Sequence, residues 1–228
     1  MRLQTRACGP LEANCYILSS DNCDECVIID PGTDAEGTII PLITALNLTP
    51  VAVLATHGHI DHVQDAAVLA NHYSIPVWIH SADRHLLSDP AAGLDRGLSV
   101  WLAMILPNGM TEPHRVELLD DKETLNLAGL EIQVIHAPGH TGGCVLYSVT
   151  EAEDTFIFTG DVLFAGAIGR TDLPGGDSTV MLETLRGPVL GLPDAARIFA
   201  GHGPSSTMAI EKTTNPYLQP RFLDLSDF

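Results

Sequence analysis

Lysine is nearly missing from this chain: Lys122 and Lys212 are the only two. Arginine does not make up the difference, since Lys and Arg together number 11 against 29 Asp and Glu, for a formal net charge of −18 at pH 7. A surface that grips phosphate backbones needs clustered cations, so nucleic acid is excluded as a partner. Long apolar runs are missing too. The longest nearly pure one, Leu98 to Leu106, falls well short of a bilayer span, which takes about 20 residues. No apolar core of signal-peptide length follows Met1-Arg2-Leu3-Gln4-Thr5-Arg6. These absences predict a cytoplasmic protein with no membrane partner. No internal repeat of useful length is visible. Cys23-Asp24-Glu25-Cys26 has the spacing of a zinc knuckle or redox site, but a knuckle needs a second pair at similar close spacing. Cys8 and Cys15 are predicted to lie on separate strands. The Cys23–Cys26 pair therefore reads as loop thiols facing solvent, and Cys15 and Cys144 as small buried hydrophobes.

What is present is ordinary for a globular chain, with 45% hydrophobic and 18% charged residues in 228. One domain over residues 1–228 with a single sizeable core is expected. Strand-like runs are predicted near residues 2–7, 14–19, 26–30, 51–55, 76–80, 130–136, 143–149, 155–159 and 197–200. Helical patterns are predicted near 35–47, 62–74, 81–88, 177–187 and 205–212. Strands and helices mix without strict alternation. An α+β arrangement suits that order: two sheets face to face with helices on both outer sides. Residues 84–117 resemble an insertion, with Pro90, Gly93, Gly97, Pro107, Gly109 and Pro113 around the apolar run Val100–Leu106. It is either a satellite packing element or a wall over an active site.

The chemistry-bearing residues crowd into one short stretch, His57-Gly58-His59-Ile60-Asp61-His62. Three imidazoles and a carboxylate so close together are hard to explain as packing. Neutral imidazole and carboxylate are preferred ligands of divalent metals, which resolves the crowding. The stretch follows the apolar run Val51–Ala55. His57 and His59 are two apart and project to one side of an extended chain. Asp61 and His62 fall where a helical pattern begins, so they face another point, and two nearby metals fit better than one. Three further apolar runs repeat the geometry. Leu130–Ile135 leads to His140, Thr155–Thr159 to Asp161, and Ala196–Ala200 to His202, each beside a glycine that lets the backbone turn and approach closely. Sites in α/β folds are commonly assembled at such strand ends. Asp30 also follows a strand; it either orients a ligand from behind or caps the Pro31-Gly32 turn, with the turn slightly favoured. His72, His80, His85, His114 and His136 have no such pattern around them.

The run His57-x-His59-x-Asp61-His62, followed in order by His140, Asp161 and His202, resembles the metallo-β-lactamase superfamily of metallo-hydrolases, and within it the glyoxalase II-like branch of hydroxyacylglutathione hydrolases. Asn14-Cys15-Tyr16, Asp30-Pro31-Gly32, Ala137-Pro138-Gly139-His140, Gly169-Arg170-Thr171-Asp172 and Asn215-Pro216-Tyr217-Leu218 share that resemblance. The resemblance implies an αββα sandwich of two mixed β-sheets flanked by helices. It implies two divalent ions, zinc foremost with iron or manganese as alternatives. His57, His59 and His140 would hold one, Asp61, His62 and His202 the other, and Asp161 both. Asp61 and Asp161 are then the carboxylates at the reaction centre. Two cations can bring a bound water to a pKa of about 7 or below, supplying a bridging hydroxide. A small-molecule thioester is the first substrate choice, because a thiolate leaves without a general acid. A mononuclear Fe(II) persulfide dioxygenase using His57, His140 and Asp161, or a lactone hydrolase, is the alternative. The resemblance disfavours a β-lactamase, because Asp161 stands where those enzymes usually carry a different residue. A non-catalytic binding module ranks last, since nothing in the metal set is missing. Arg170 either pairs with Asp172 or reaches an anionic substrate group. After His202 the only cations are Lys212 and Arg221, which leaves the thiol carrier open, and nothing in the sequence sets the oligomeric state.

Overall fold

The computed structural model describes residues 1–107 and 109–224. Its first sheet takes six strands in chain order: β1 (Arg2–Cys8), β2 (Ala13–Ser19), β3 (Glu25–Ile29), β4 (Thr49–Leu54), β5 (Val77–His80) and β6 (Val116–Leu119). β1 to β3 pair antiparallel, and β3 to β6 pair parallel. The second sheet uses β7 (Thr124–Leu127), β8 (Leu130–His136), β9 (Val145–Glu151) and β10 (Asp154–Gly160). A small hairpin, β11 (Leu163–Phe164) with β12 (Ala167–Ile168), follows. β13 (Arg197–Ala200) and β14 (Ser206–Thr207) complete the second sheet in the order β14-β13-β10-β9-β8-β7. Only β10 and β13 are parallel there, so both sheets are mixed.

The period-two pattern of the strands builds three apolar layers. Tyr16 and Leu18 of β2, Val27 and Ile29 of β3, and Leu54 of β4 face Tyr147, Val149, Phe156 and Phe158 of the second sheet. Their sequence neighbours Cys15, Ile17, Cys26 and Ile28 point the other way, onto helices α1 (Glu36–Leu46) and α3 (Ala66–Tyr73). On the far side, Leu146, Ile157 and Ile198 pack against α5 (Ser178–Thr184) and α6 (Met208–Thr214) through Met181 and Met208. The αββα sandwich follows from those faces, each fully buried large side chain contributing about 1.5–3 kcal/mol.

Several boundaries differ from the sequence expectation. The predicted helix over 62–74 is two pieces, α2 (Ile60–Val63) and α3. Asp65 breaks it: its backbone N–H donates to Pro31 O and its carboxylate accepts from Glu36 N at the start of α1. The predicted helix over 81–88 is a tighter 3₁₀ turn, Ser81–Leu87, and α6 starts only at Met208, behind β14. Strands β6 and β7 are additional, and β6 ends the stretch read as an insertion. That stretch carries α4 (Arg96–Ile105), capped by Asp95, whose carboxylate accepts from Leu98 N. Cys26 is not a loop thiol. It lies on β3 under α1, and burial pushes its thiol up to about 12. The described residues include no helix long and apolar enough to cross a membrane.

Candidate metal centre

The seven singled-out residues converge at one end of both sheets. β4 stops at Leu54, and the chain beyond it presents His57 and His59. Ile60–Val63 then turns Asp61 and His62 toward a neighbouring point. His140 follows β8 through Pro138 and Gly139, Asp161 follows β10, and His202 follows β13. Gly160 has φ +48, a left-handed value suited to glycine, and a Cβ there would collide with Thr56. A Cβ on Gly201 would run into Asp161 Oδ1 and His62, so close approach of the backbone is required at both strand ends.

Two triads result. His57, His59 and His140 bring one ligand atom each within 4.8 Å of one another, and so do Asp61, His62 and His202. His59 Nδ1 stands 2.8 Å from His140 Nε2, and His62 Nε2 stands 3.2 Å from His202 Nε2. Asp161 lies between the triads. Its Oδ1 is 3.3 Å from His62 Nε2, and its Oδ2 is 3.6 Å from both His140 Nε2 and His202 Nε2.

The outward ring nitrogens fix which nitrogen faces the centre. His140 Nδ1 donates to Arg170 O at 2.7 Å and His202 Nδ1 to Leu11 O at 2.9 Å. His62 Nδ1 is held by Asp30 Oδ2 at 3.0 Å. His57 Nδ1 meets Thr56 Oγ1 at 3.1 Å, whose own proton goes to Asp30 Oδ2. Each of these four histidines therefore aims an Nε2 lone pair inward. His57 Nε2 and Asp161 Oδ1 are buried with no hydrogen-bond partner, a costly state that bound cations would relieve; His59 turns Nδ1 to the centre, and its outward Nε2 is unpaired as well.

The electrostatics agree. Burial, then the neighbouring His62, holds His57 well below the ordinary histidine value, and burial with His140 brings His59 to about 4. Both are neutral at pH 7, as ligands must be. Burial pushes Asp61 and Asp161 up, yet the surrounding histidines, His62 first among them and His202 with it, together outweigh it and keep both carboxyls below their usual range. Conversely, Asp161 and Asp61 overcome the burial of His62 and raise it, while the Asp61 hydrogen bond raises His202.

Two buried aspartates sit behind the candidate ligands. Asp30 is buried at 1% exposure and has φ 50, so it does turn the chain. Its carboxylate nevertheless accepts from Thr56 N and Thr56 Oγ1 and holds His62, which corrects the turn-cap preference. Asp83 was not singled out by sequence. It is 2% exposed and accepts from Gly58 N, Gly143 N and Thr141 Oγ1, tying the His57–His59 segment to the loop after His140. The Asn14-Cys15-Tyr16 motif also has a positional role. Asn14 Nδ2 donates to Ala200 O and Gly203 O, and Tyr16 OH to Ala200 O, pinning the His202 turn. The remaining histidines stay outside the cluster, with His80 and His136 stacked on each other.

Above the centre is a cleft of about 210 Å³ lined by His59, Asp61, His140, Asp161, Arg170 and apolar residues that include Trp101 of α4. Arg170 pairs with Asp172 through Nε and Nη2 at 2.7 and 2.8 Å. The Metallo-beta-lactamase superfamily model matches residues 8–202. The chain belongs to the metallo-beta-lactamase superfamily. Hydroxyacylglutathione hydrolase GloC of Haemophilus influenzae is a 35% identical relative over 92% of this chain and 94% of that one. The crystal structure of BLEG-1 B3 metallo-beta-lactamase superposes with a TM-score of 0.83 at 36% identity, covering 96% of this chain and all of that one. The di-iron-bound form of the protein TTHA1623 gives a TM-score of 0.78 at 33% identity, over 94% and 100%. Metallo-beta-lactamase superfamily membership makes this a metallo-hydrolase scaffold, and its histidine and aspartate cluster fits the dinuclear metal site typical of the superfamily.

Proposed function

We propose that this chain is a metal-dependent hydrolase of a small-molecule thioester, resembling the hydroxyacylglutathione hydrolases. The meeting of two complete triads at Asp161 carries the reading. His57, His59 and His140 would hold one divalent ion, Asp61, His62 and His202 the second, and Asp161 would contact both. Such a pair supplies Lewis acidity and a water nucleophile at neutral pH. The completeness of the Asp61–His62–His202 triad favours this over a single-iron dioxygenase.

The chain's own residues set the rest. Asp30 and Thr56 hold the His57 and His62 rings in the ligating tautomer, so no reorganisation is needed when cations enter. Asp161 and Asp61 would supply the negative charge to hold two cations. Apart from these candidate ligands, Arg170 is the one ionisable side chain lining the cleft among the described residues, and a guanidinium is a poor proton donor to a leaving group. A thiolate departs as an anion and needs none. Arg170 uses two of its five N–H donors on Asp172, and the remainder can take a carboxylate of the thiol carrier. It also lines a second cavity of about 330 Å³ in which Thr171, Ser178 and Tyr217 stand among apolar residues such as Met181, Leu182 and Phe222, a mixed berth for such a carrier. The relative GloC, named a hydroxyacylglutathione hydrolase, supports the thioester choice. Five free cysteines fit a reducing compartment, so a cytoplasmic site of action belongs to the proposal.

The test compares the zinc- or iron-loaded protein on S-lactoylglutathione, a β-lactam and glutathione persulfide under oxygen. Thioester hydrolysis should exceed lactam hydrolysis, and Asp161→Ala should abolish it while the circular dichroism spectrum is kept. Sulfite from the persulfide without thioester turnover would replace this reading with the dioxygenase. Dominant lactam hydrolysis would replace it with the lactamase activity named for BLEG-1.

A further inference from the structure

The cleft over the metal centre does not end at α4. A larger cavity of about 530 Å³ adjoins it, lined by Pro10, Leu11, Thr33, Ile60, Asp61, Gln64, Leu98, Trp101 and Leu102. Leu11, Ile60, Asp61, Leu98, Trp101 and Leu102 line both spaces, so the two are adjacent and share walls beside Asp61. Its volume falls within the range of about 300–1,000 Å³ usual for small-molecule sites. Its walls are almost wholly hydrocarbon. Leu11 is 64% exposed and Trp101 55%, unusual for large apolar side chains facing water beside a reaction centre. Among the described residues, Asp61 is the only charged group in this lining, and it belongs to the candidate metal cluster.

We propose that this groove is the berth of an apolar acyl chain, which makes the substrate class a thioester of a medium-length aliphatic acid. The inference rests on the thioester reading. A thioester has two halves, and the surroundings distinguish them. The thiol half leaves as an anion and belongs on the side of Arg170, where Thr171, Ser178 and Tyr217 also line a cavity. The acyl half becomes a carboxylate at the attacked carbon, while its alkyl chain stays neutral throughout. A groove of leucines with one tryptophan stabilises a neutral hydrocarbon and gives a departing thiolate nothing. Trp101 and Leu98, three apart on α4, form one wall, and Leu11 and Ile60 form the other. The stretch at residues 84–117 then acts as a specificity wall, and the exposed faces of Leu11 and Trp101 are the surface that an acyl chain would cover.

The experiment uses the metal-loaded full chain and S-acyl-N-acetylcysteamines from two to ten carbons, with released thiol followed by Ellman's reagent. kcat/KM should rise about threefold per methylene through the middle of the series, as expected for hydrocarbon leaving water. Trp101→Ala should flatten that rise; its exposure makes loss of the fold an unlikely cause, and a thermal melt checks it. A second readout is independent of turnover. In Trp78→Phe, Trp101 is the only tryptophan, and octanoate should shift its emission saturably where acetate does not. Turnover that ignores chain length, or an octanoate titration without a Trp101 response, overturns the groove assignment. An octanoate response without hydrolysis of any thioester keeps the groove and removes the thioester reading instead.

Discussion

Asp30 and His62 are 32 positions apart in sequence, yet Asp30 Oδ2 lies 3.0 Å from His62 Nδ1. The same oxygen accepts from Thr56 Oγ1 at 2.6 Å, and that hydroxyl in turn supports His57 Nδ1. One buried carboxylate therefore sets the tautomer of a histidine in each triad.

Asp30→Ala should weaken metal binding about 10- to 100-fold, the usual cost of losing a partner behind a ligand. Chelator competition on purified protein measures it. Both ions should suffer, because His57 and His62 lose support together. Unchanged affinity would show that the rings are held by packing alone.

Asp83→Ala should cost about 2–4 kcal/mol, because Gly58 N and Gly143 N are left buried without an acceptor. Urea denaturation of the metal-free protein gives the number directly. Metal affinity should fall as well, since the His59 and His140 loops lose their common anchor. A loss below about 0.5 kcal/mol would contradict the role assigned to this carboxylate.

His59 gives the metal-free protein a defined pH dependence. Folded, it titrates at about 4 because burial and His140 disfavour its charged form, whereas an unfolded chain protonates the same side chain near 6.5. Between those values the unfolded chain binds the extra proton, so the stability contributed by neutral His59 is present above about 6.5 and lost as pH falls toward 4. His57 shifts in the same direction, and His62 and His202 in the opposite one. The difference between the parent and His59→Asn isolates the residue. The parent should lose on the order of 2–3 kcal/mol relative to that variant between pH 6.5 and 4. A pH-independent difference would mean that His59 is not held neutral.

The sheet strands that deliver the ligands were legible because their apolar runs end abruptly at a glycine and a metal-competent side chain, as at Phe158-Thr159-Gly160-Asp161. The two-layer packing was legible from the order of strands and helices, whereas only the folded chain shows that Cys15 and Ile17 face the helices and Tyr16 and Leu18 the sheet interior. Strands β6 and β7 were not, being four residues each around the charged turn Asp120-Asp121-Lys122-Glu123, where cross-strand pairing rather than composition makes the strand. Asp83 was hidden because its partners lie 25, 58 and 60 positions away, and a lone aspartate in a short turn carries no local sign of them. Asp30 was visible as a strand-end aspartate, but only the folded chain shows which groups its oxygens serve. The side of α4 that faces the site was equally hidden, because Leu98, Val100, Trp101, Leu102 and Met104 leave no single polar face to orient the helix.

A zinc titration of the metal-free chain, read as thioester hydrolysis, tests the central claim most directly. Activity should climb to a plateau at two equivalents per chain, with little gained at the first, because both triads must be filled around Asp161. A plateau at one equivalent, or no thioester turnover at any loading, would contradict it.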